Sequence, residues 1–161
     1  MKASFHIKEF IKSKEGFFTK PYLCSSKVPT IGWGSTLYPN GVRVTLTDKE
    51  ITKQRAQEIF DWHLSLFEKE VNSLIVGLNL SQNQFDALLS FAYNVGTDID
   101  QDNIPEGLGD STLLKKVKIN PLDKSIEKEF LKWNKSGGVV SRGLTIRRQQ
   151  EANIYFNKFT T

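Results

Sequence analysis

The chain has 161 residues, 39% hydrophobic and 25% charged, and 22 Lys and Arg against 18 Asp and Glu give it a net charge of +4. That length suffices for one well-cored domain or two lobes sharing a helix, the composition excludes a disordered chain, and no apolar run approaches the ~20 residues of a membrane span. One cysteine excludes an internal disulfide and any multi-cysteine zinc site.

Residues 5 to 14 put Ile7, Phe10 and Ile11 at helical spacing, with Ser4 as N-cap and Gly16 as the stop. The opening "MKASFHIKEFIKSK" has lysines throughout and no apolar signal-peptide core, so no export signal is expected. From Pro21 to Leu46, Gly, Pro and Asn punctuate the runs "PTIGWGST" and "GVRVTL", with "YPNG" as a turn, which reads as a small antiparallel sheet. After Thr47 or Thr52 as cap, Ala56, Ile59, Phe60, Leu64, Phe67, Val71 and Leu74 share one face of a long helix able to link two lobes. Ser81 and Gln84 have capping-box spacing, and "FDALLSFAYNV" is apolar nearly all round before Gly96, which predicts a buried core helix. Residues 97–111 break the periodicity with acids, glycines and a proline and read as a loop. Helical patterns resume at "STLLKKV", stop at Asn120-Pro121, resume at "SIEKEFLKWNK" and stop at Gly137-Gly138. A last helix is expected from about Leu144, anchored by Ala152, Tyr155 and Phe156.

Glu15 falls in the last turn of the first helix, where the helix dipole disfavours the ionised form; a carboxyl kept protonated can serve as a general acid, although Lys12, Lys14 or a distant arginine could favour the carboxylate. Cys24 reads either as a small buried hydrophobe or as a reactive thiol beside Lys27. Thr30 opens "TIGWG", where Gly32 and Gly34 allow a tight turn or the close approach of a ligand, and its hydroxyl can hold a water. Trp33, Tyr38, Tyr93 and Trp133 suit sugar stacking as well as core packing. Arg142, Arg147 and Arg148 flank the start of the last helix, as a solvated basic face or as a reach toward a carboxylate across a cleft. No two of His, Cys, Asp and Glu pair at a recognised ligand spacing with a further ligand motif, so neither a metal nor a cofactor is expected. The positive charge favours a polyanionic partner. The basic residues are too dispersed for a nucleic-acid binder, and no stable membrane insertion is expected.

Glutamate, eight residues, Cys24, five residues, then Thr30: the order "EGFFTKPY", "C", "TIGWGST" resembles the catalytic segment of the phage-type lysozymes, the endolysins of the T4-type family and glycoside hydrolase family 24. The resemblance continues through "ITKQRAQEIF", "LSQNQFDALLSFAYNVG", "STLLKKV", "EFLKWNKSGG" and "GLTIRRQQE", over roughly residues 7 to 156. It implies an α+β, mainly α, two-lobed lysozyme-like fold: a single such domain over 1–161, with an N-terminal lobe of about 12–60 holding the small antiparallel sheet. A linking helix of about 53–75 would follow, then a helical C-terminal lobe of about 76–161 joined by the first helix.

The implied activity is hydrolysis of the β-1,4 bond between N-acetylmuramic acid and N-acetylglucosamine in peptidoglycan. Glu15 would be the general acid, and Cys24, in place of an aspartate, and Thr30 would hold the attacking water. Tyr93 and Asn94 match cleft positions, Gly32, Trp33 and Ser35 line the same motif, and Arg147 or Arg148 would pair with Glu15. The histidine usual after the second glycine of the motif is Ser35 here. A monomer is expected, kept in the host cytoplasm until a holin-like protein permeabilises the membrane. The alternatives are a catalytically impaired peptidoglycan-binding protein of the same fold, which would have no need of an acid at position 15, and a membrane disruptor acting through the C-terminal helix, which lacks the basic amphipathic stripe for that role.

Overall fold

The computed structural model describes residues 1–24, 27–100 and 106–158. Its described residues form α1 (Phe5–Glu15), β1 (Phe18–Leu23), β2 (Pro29–Gly32), α2 (Lys53–Leu74), α3 (Gln82–Val95), α4 (Thr112–Ile119), α5 (Ile126–Leu131), β3 (Lys135–Ser136), β4 (Val139–Val140) and α6 (Arg142–Tyr155). The mainly α composition with a small antiparallel sheet is therefore observed. Two compact units divide the chain, one of Lys8–Leu66 and the other of Met1–Ile7 with Phe67–Thr161. Both α1 and α2 run through a boundary between them.

In the first unit Ile11, Ile31, Val44, Ala56, Ile59 and Phe60 form the core, each 3% exposed or less. Lys8 Nζ reaches Asp61 at 2.8 Å and Lys12 Nζ reaches Gln57 at 2.5 Å, so the polar edge of α1 is fastened to α2. β1 and β2 pair antiparallel, Phe18 opposite Gly32, Tyr22 opposite Thr30 and Leu23 opposite Pro29. Four residues of β1 thus span what two of β2 span, and the strand bulges between Phe18 and Tyr22.

The expected strand at "GVRVTL" does not extend. Arg43 alone of that run bridges to Leu37, and the chain is then held by side chains: Asp48 accepts from the Tyr38 hydroxyl at 2.8 Å, from Thr45 N–H at 2.9 Å and from Thr45 Oγ1 at 2.5 Å. Asx-type bonds of this kind replace a ladder with a turn. They hold the Asp48 carboxyl below its ordinary range, while burial first and then Asp48 push the Tyr38 phenol up to about 12.

In the second unit α3 is the buried helix, with Phe85, Ala87, Leu88, Leu89, Phe91 and Ala92 all at 0% exposure. Its capping box is complete, Ser81 Oγ accepting from Gln84 N–H and Gln84 Oε1 from Ser81 N–H. Phe91 meets Phe130 and Trp133 edge-on at 5.6 and 5.4 Å, which seats α5 and the residues after it on α3. Gly137 and Gly138, expected only to stop a helix, turn a hairpin in which Lys135 faces Val140 and Ser136 faces Val139. Both glycines have positive φ, 56° and 81°, the geometry of a two-residue turn between twisted strands. α6 starts at Arg142 because Ser141 Oγ accepts from Leu144 N–H, two residues earlier than the apolar pattern indicates. Of the expected 97–111 loop, residues 101–105 lie outside the described residues; in the rest, Asp98 Oδ2 accepts from the N–H groups of Glu106, Gly107 and Asp110.

His63, on α2, is largely buried, and desolvation lowers its imidazole below the ordinary 6.5. Between the two values the unfolded chain holds the extra proton, so this group's share of stability is present above about pH 6.5 and is lost as pH falls through the lowered folded value. Urea unfolding between about pH 5 and 7.5 should show that decline, and His63→Gln should remove its part of the slope.

Candidate active site

Helix α1 ends at Glu15 because Gly16, at φ 70°, takes the left-handed conformation that closes a helix. Glu15 is half-buried. Its side chain lies against the backbone of Gly34: a Cβ built there would sit 3.2 Å from Glu15 Oε2 and 3.5 Å from Cβ and Cγ. Gly34 belongs to a tight turn in which Ile31 and Ser35 exchange both backbone bonds, at 2.9 and 3.0 Å. Gly32 and Gly34 have φ of 65° and 80°, a region that side chains disfavour. The two glycines of "TIGWG" therefore bend the turn and let its backbone approach the carboxyl. Lys12 and Lys14 are engaged with other groups, Lys12 with Glu9 at 3.0 Å and Lys14 over the Phe10 ring at 4.9 Å.

Thr30 is 2% exposed, and its hydroxyl donates to Val28 O at 2.9 Å. Cys24 is half-buried. Its N–H donates to Val28 O at 3.1 Å and its carbonyl accepts from Lys27 N–H at 2.8 Å, with Lys27 at φ 59°. The neighbouring residues 25 and 26 lie outside the described residues. Directly opposed strand residues share a face, as do residues two apart. Cys24 opposite Val28 and Tyr22 opposite Thr30 thus place thiol, phenol and threonine on one side of the hairpin.

Tyr22, the last residue of "EGFFTKPY", received no role from the sequence. Burial first, then the Glu15 charge and then Cys24, raise its phenol above its ordinary value of 10, so both groups act on one hydroxyl. Its sequence signal is its place in that segment, two residues before Cys24, and the bulge that seats it opposite Thr30 is invisible in the sequence.

Ser35, where the family pattern has histidine, is fully buried, and its Oγ has no hydrogen-bond partner among the described residues. Gly32 is buried against Ala56, whose Cβ would lie 3.4 Å from an added Cβ. Trp33 is 8% exposed, its ring 4.6 Å from Phe17, 6.1 Å from Phe60 and 4.8 Å from Lys12 Nζ.

The remaining sequence candidates lie in the other unit. Tyr93 is half-buried with its ring 5.0 Å from Phe67, and Asn94 is exposed at the end of α3. Arg147 and Arg148 do not form the solvated basic face that was one expectation: they are 4% and 0% exposed and share the fully buried Glu151. Arg147 Nε donates to Glu151 Oε1 at 3.1 Å, Ser90 Oγ donates to the same oxygen at 2.7 Å, and Arg148 bonds Glu151 Oε2 and Asn94 Oδ1. Arg148 also donates to Trp133 O at 3.0 Å and lies over the Phe91 ring at 4.8 Å. Among the described residues, Asp98, Asp100 and Asp110 bring carboxylate oxygens within 4.8 Å of one another, the one set whose donors could suit a hard cation.

In a small mainly α protein, then, a helix-end carboxyl lies against a glycine turn, with a thiol and a threonine on one face of the adjoining hairpin. The family model described as "Phage lysozyme" matches residues 12–151. The chain is 38% identical over 150 residues to the endolysin of Bacillus phage B103, covering 90% of this chain and 50% of that protein. An endolysin from Escherichia coli O157:H7 phage FAHEc1 superposes with a TM-score of 0.82 at 31% identity, over 100% of this chain and 97% of the other. The muramidase domain of SpmX from Asticaccaulis excentricus superposes with a TM-score of 0.76 at 26% identity, over 96% and 97%. The chain belongs to the phage lysozyme family, and its fold is lysozyme-like. It spans about half the length of the Bacillus phage relatives it matches. Among the described residues no helix is long and apolar enough to cross a membrane.

Both Gly34→Ala and Gly41→Ala must pay the left-handed penalty of about 1–2 kcal/mol, since Gly41 has φ 79° with nothing within 4 Å of an added Cβ. Only Gly34→Ala also displaces Glu15. Its loss of stability on urea unfolding should exceed that of Gly41→Ala, and the excess should vanish when Glu15→Ala is added.

Proposed function

We propose that the protein is a peptidoglycan muramidase, an endolysin that hydrolyses the β-1,4 bond between N-acetylmuramic acid and N-acetylglucosamine. The reading is carried by the placement of Glu15 against the Gly34 backbone beside a hairpin face that bears Cys24 and Thr30. Family membership and the muramidase name of a structural relative support it.

Glu15, as the general acid, gives its proton to the glycosidic oxygen as the bond from that oxygen to the anomeric carbon breaks. A water held by Cys24 and Thr30 attacks the anomeric carbon from the opposite face and gives up its proton to bulk water, so that the product is inverted. No second carboxylate is required if the thiol and the hydroxyl hold the water, because positioning alone contributes a large part of such a barrier. Gly32, Trp33 and Ser35 shape the turn under this site, while Tyr93 and Asn94 are glycan contacts on their own unit. The protein acts as a monomer, needs no cofactor, and waits in the host cytoplasm until a membrane-permeabilising protein gives it access to the wall.

Glu15→Gln should lower the clearing of cell-wall suspensions at least about a hundredfold, the lower end of what general acids supply, while sedimentation with insoluble peptidoglycan persists. Undiminished clearing by this variant removes Glu15 as the acid. Mass analysis of the digest should show reducing-end muramic acid; anhydro-muramic ends or newly freed amines would mean a lytic transglycosylase or a peptide-bond hydrolase instead.

Cys24→Ala should lose about tenfold or more, and Cys24→Asp, which restores a carboxylate there, should retain much of the wild-type rate. If Cys24→Ala turned over at the wild-type rate, the thiol would be packing alone.

A further inference from the structure

An extended strand rises about 3.3 Å per residue, so side chains four positions apart would ordinarily stand some 13 Å from each other. The rings of Phe18 and Tyr22 instead lie 4.2 Å apart, tilted by 37°. The bulge in β1 explains this, because it compresses four residues onto the two-residue span from Thr30 to Gly32. Phe18, exposed by 46%, has the bare Gly32 opposite it and no cross-strand side chain to pack on, so its ring leans on Tyr22. Tyr22 is half-buried, braced on one side by that ring and seated directly across from Thr30. Its position, two residues before Cys24, puts its ring on the hairpin face that carries Cys24 and Thr30.

We propose that Tyr22 is a positioning residue of this site: its hydroxyl stands between the Glu15 carboxyl and the Cys24 thiol and donates a hydrogen bond to whichever of them is anionic. The titratable groups that act on the phenol are Glu15, from the end of α1, and Cys24, from the end of β1. Burial and these two negative charges hold the phenol above its ordinary value of 10, so it stays a donor. A neutral donor beside the thiol favours the thiolate, and by linkage the thiolate favours the protonated phenol. Phe18 is then the brace that fixes the donor, and the β1 bulge is the backbone feature that makes the brace possible.

In its catalytic meaning the inference rests on the proposed function; in its electrostatic meaning it does not, and the test separates them. Because Cys24 is the one cysteine in the chain, iodoacetamide labelling followed by intact mass reports this thiol alone. Tyr22→Phe keeps the ring and its contact with Phe18, and its denaturant midpoint serves as the check on folding. Loss of the donor should move the pH midpoint of alkylation upward by about half a unit, making labelling roughly threefold slower at any pH below the midpoint. Wall-clearing activity should fall to a lower plateau as well. Phe18→Ala, which loosens the brace and retains the hydroxyl, should produce a smaller shift in the same direction. Unchanged alkylation and activity profiles in Tyr22→Phe would overturn the proposal and leave Tyr22 a packing residue. A wild-type protein that clears no wall and releases no reducing ends would overturn the muramidase reading alone, since the alkylation shift needs no substrate.

Discussion

The approach of the Gly34 backbone to the side chain of Glu15 is the constraint from which the site is built. A carboxyl at the end of a helix has many rotamers and would ordinarily sample water. Here the turn from Ile31 to Ser35 closes on it, and the turn can close only because two of its residues carry no Cβ. Ala56 bounds the other glycine, and Ile31, completely buried, pins the turn to the core beneath. The position of the acid is thereby set by backbone held in a packed core, which is stiffer than any side-chain contact could be.

The second unit has its own fixed point in Glu151. One fully buried carboxylate receives two guanidinium groups and a serine hydroxyl, and so joins α6 internally and to α3. Burying charge on this scale is costly unless each partner is satisfied. Arg148 meets that condition with Trp133 O, Asn94 and the face of Phe91 in addition to Glu151. Asn94 is held at the surface end of this network, its side chain bonded from beneath by the buried Arg148. The same guanidinium, packed on Phe91, touches the ring that also meets Phe130 and Trp133.

Elements whose determinants are local were legible in the sequence. The capping box at Ser81 and Gln84 and the helix stops at Gly16, Gly96 and Asn120 are short-range patterns and read directly; the spacing of Glu15, Cys24 and Thr30 is short-range in the same way. What was not legible depends on partners distant in the chain. Gly137-Gly138 reads equally as a helix stop or a hairpin turn, and the choice falls to the turn because Lys135 and Ser136 find Val140 and Val139. "GVRVTL" has the composition of a strand, yet Asp48 draws Thr45 into a side-chain turn before a ladder can extend. The arginines of "TIRRQQE" read either as a solvated face or as a reach toward a carboxylate, because nothing local reveals that the glutamate four residues beyond Arg147 is buried with them. Tyr22 escaped for a related reason: its face is decided by register, and register by a bulge.

That bulge limits how this segment can change in length. Side chains alternate across a strand, so removing one residue between Phe18 and Tyr22 would send everything upstream of the cut to the opposite side of the hairpin, uncoupling the helix-end acid from the thiol. Removing two would restore the alternation but iron out the kink. An even change of length between Phe18 and Tyr22 keeps the alternation of the strand and an odd one reverses it, so the eight residues between Glu15 and Cys24 are tied to the pleat of one strand.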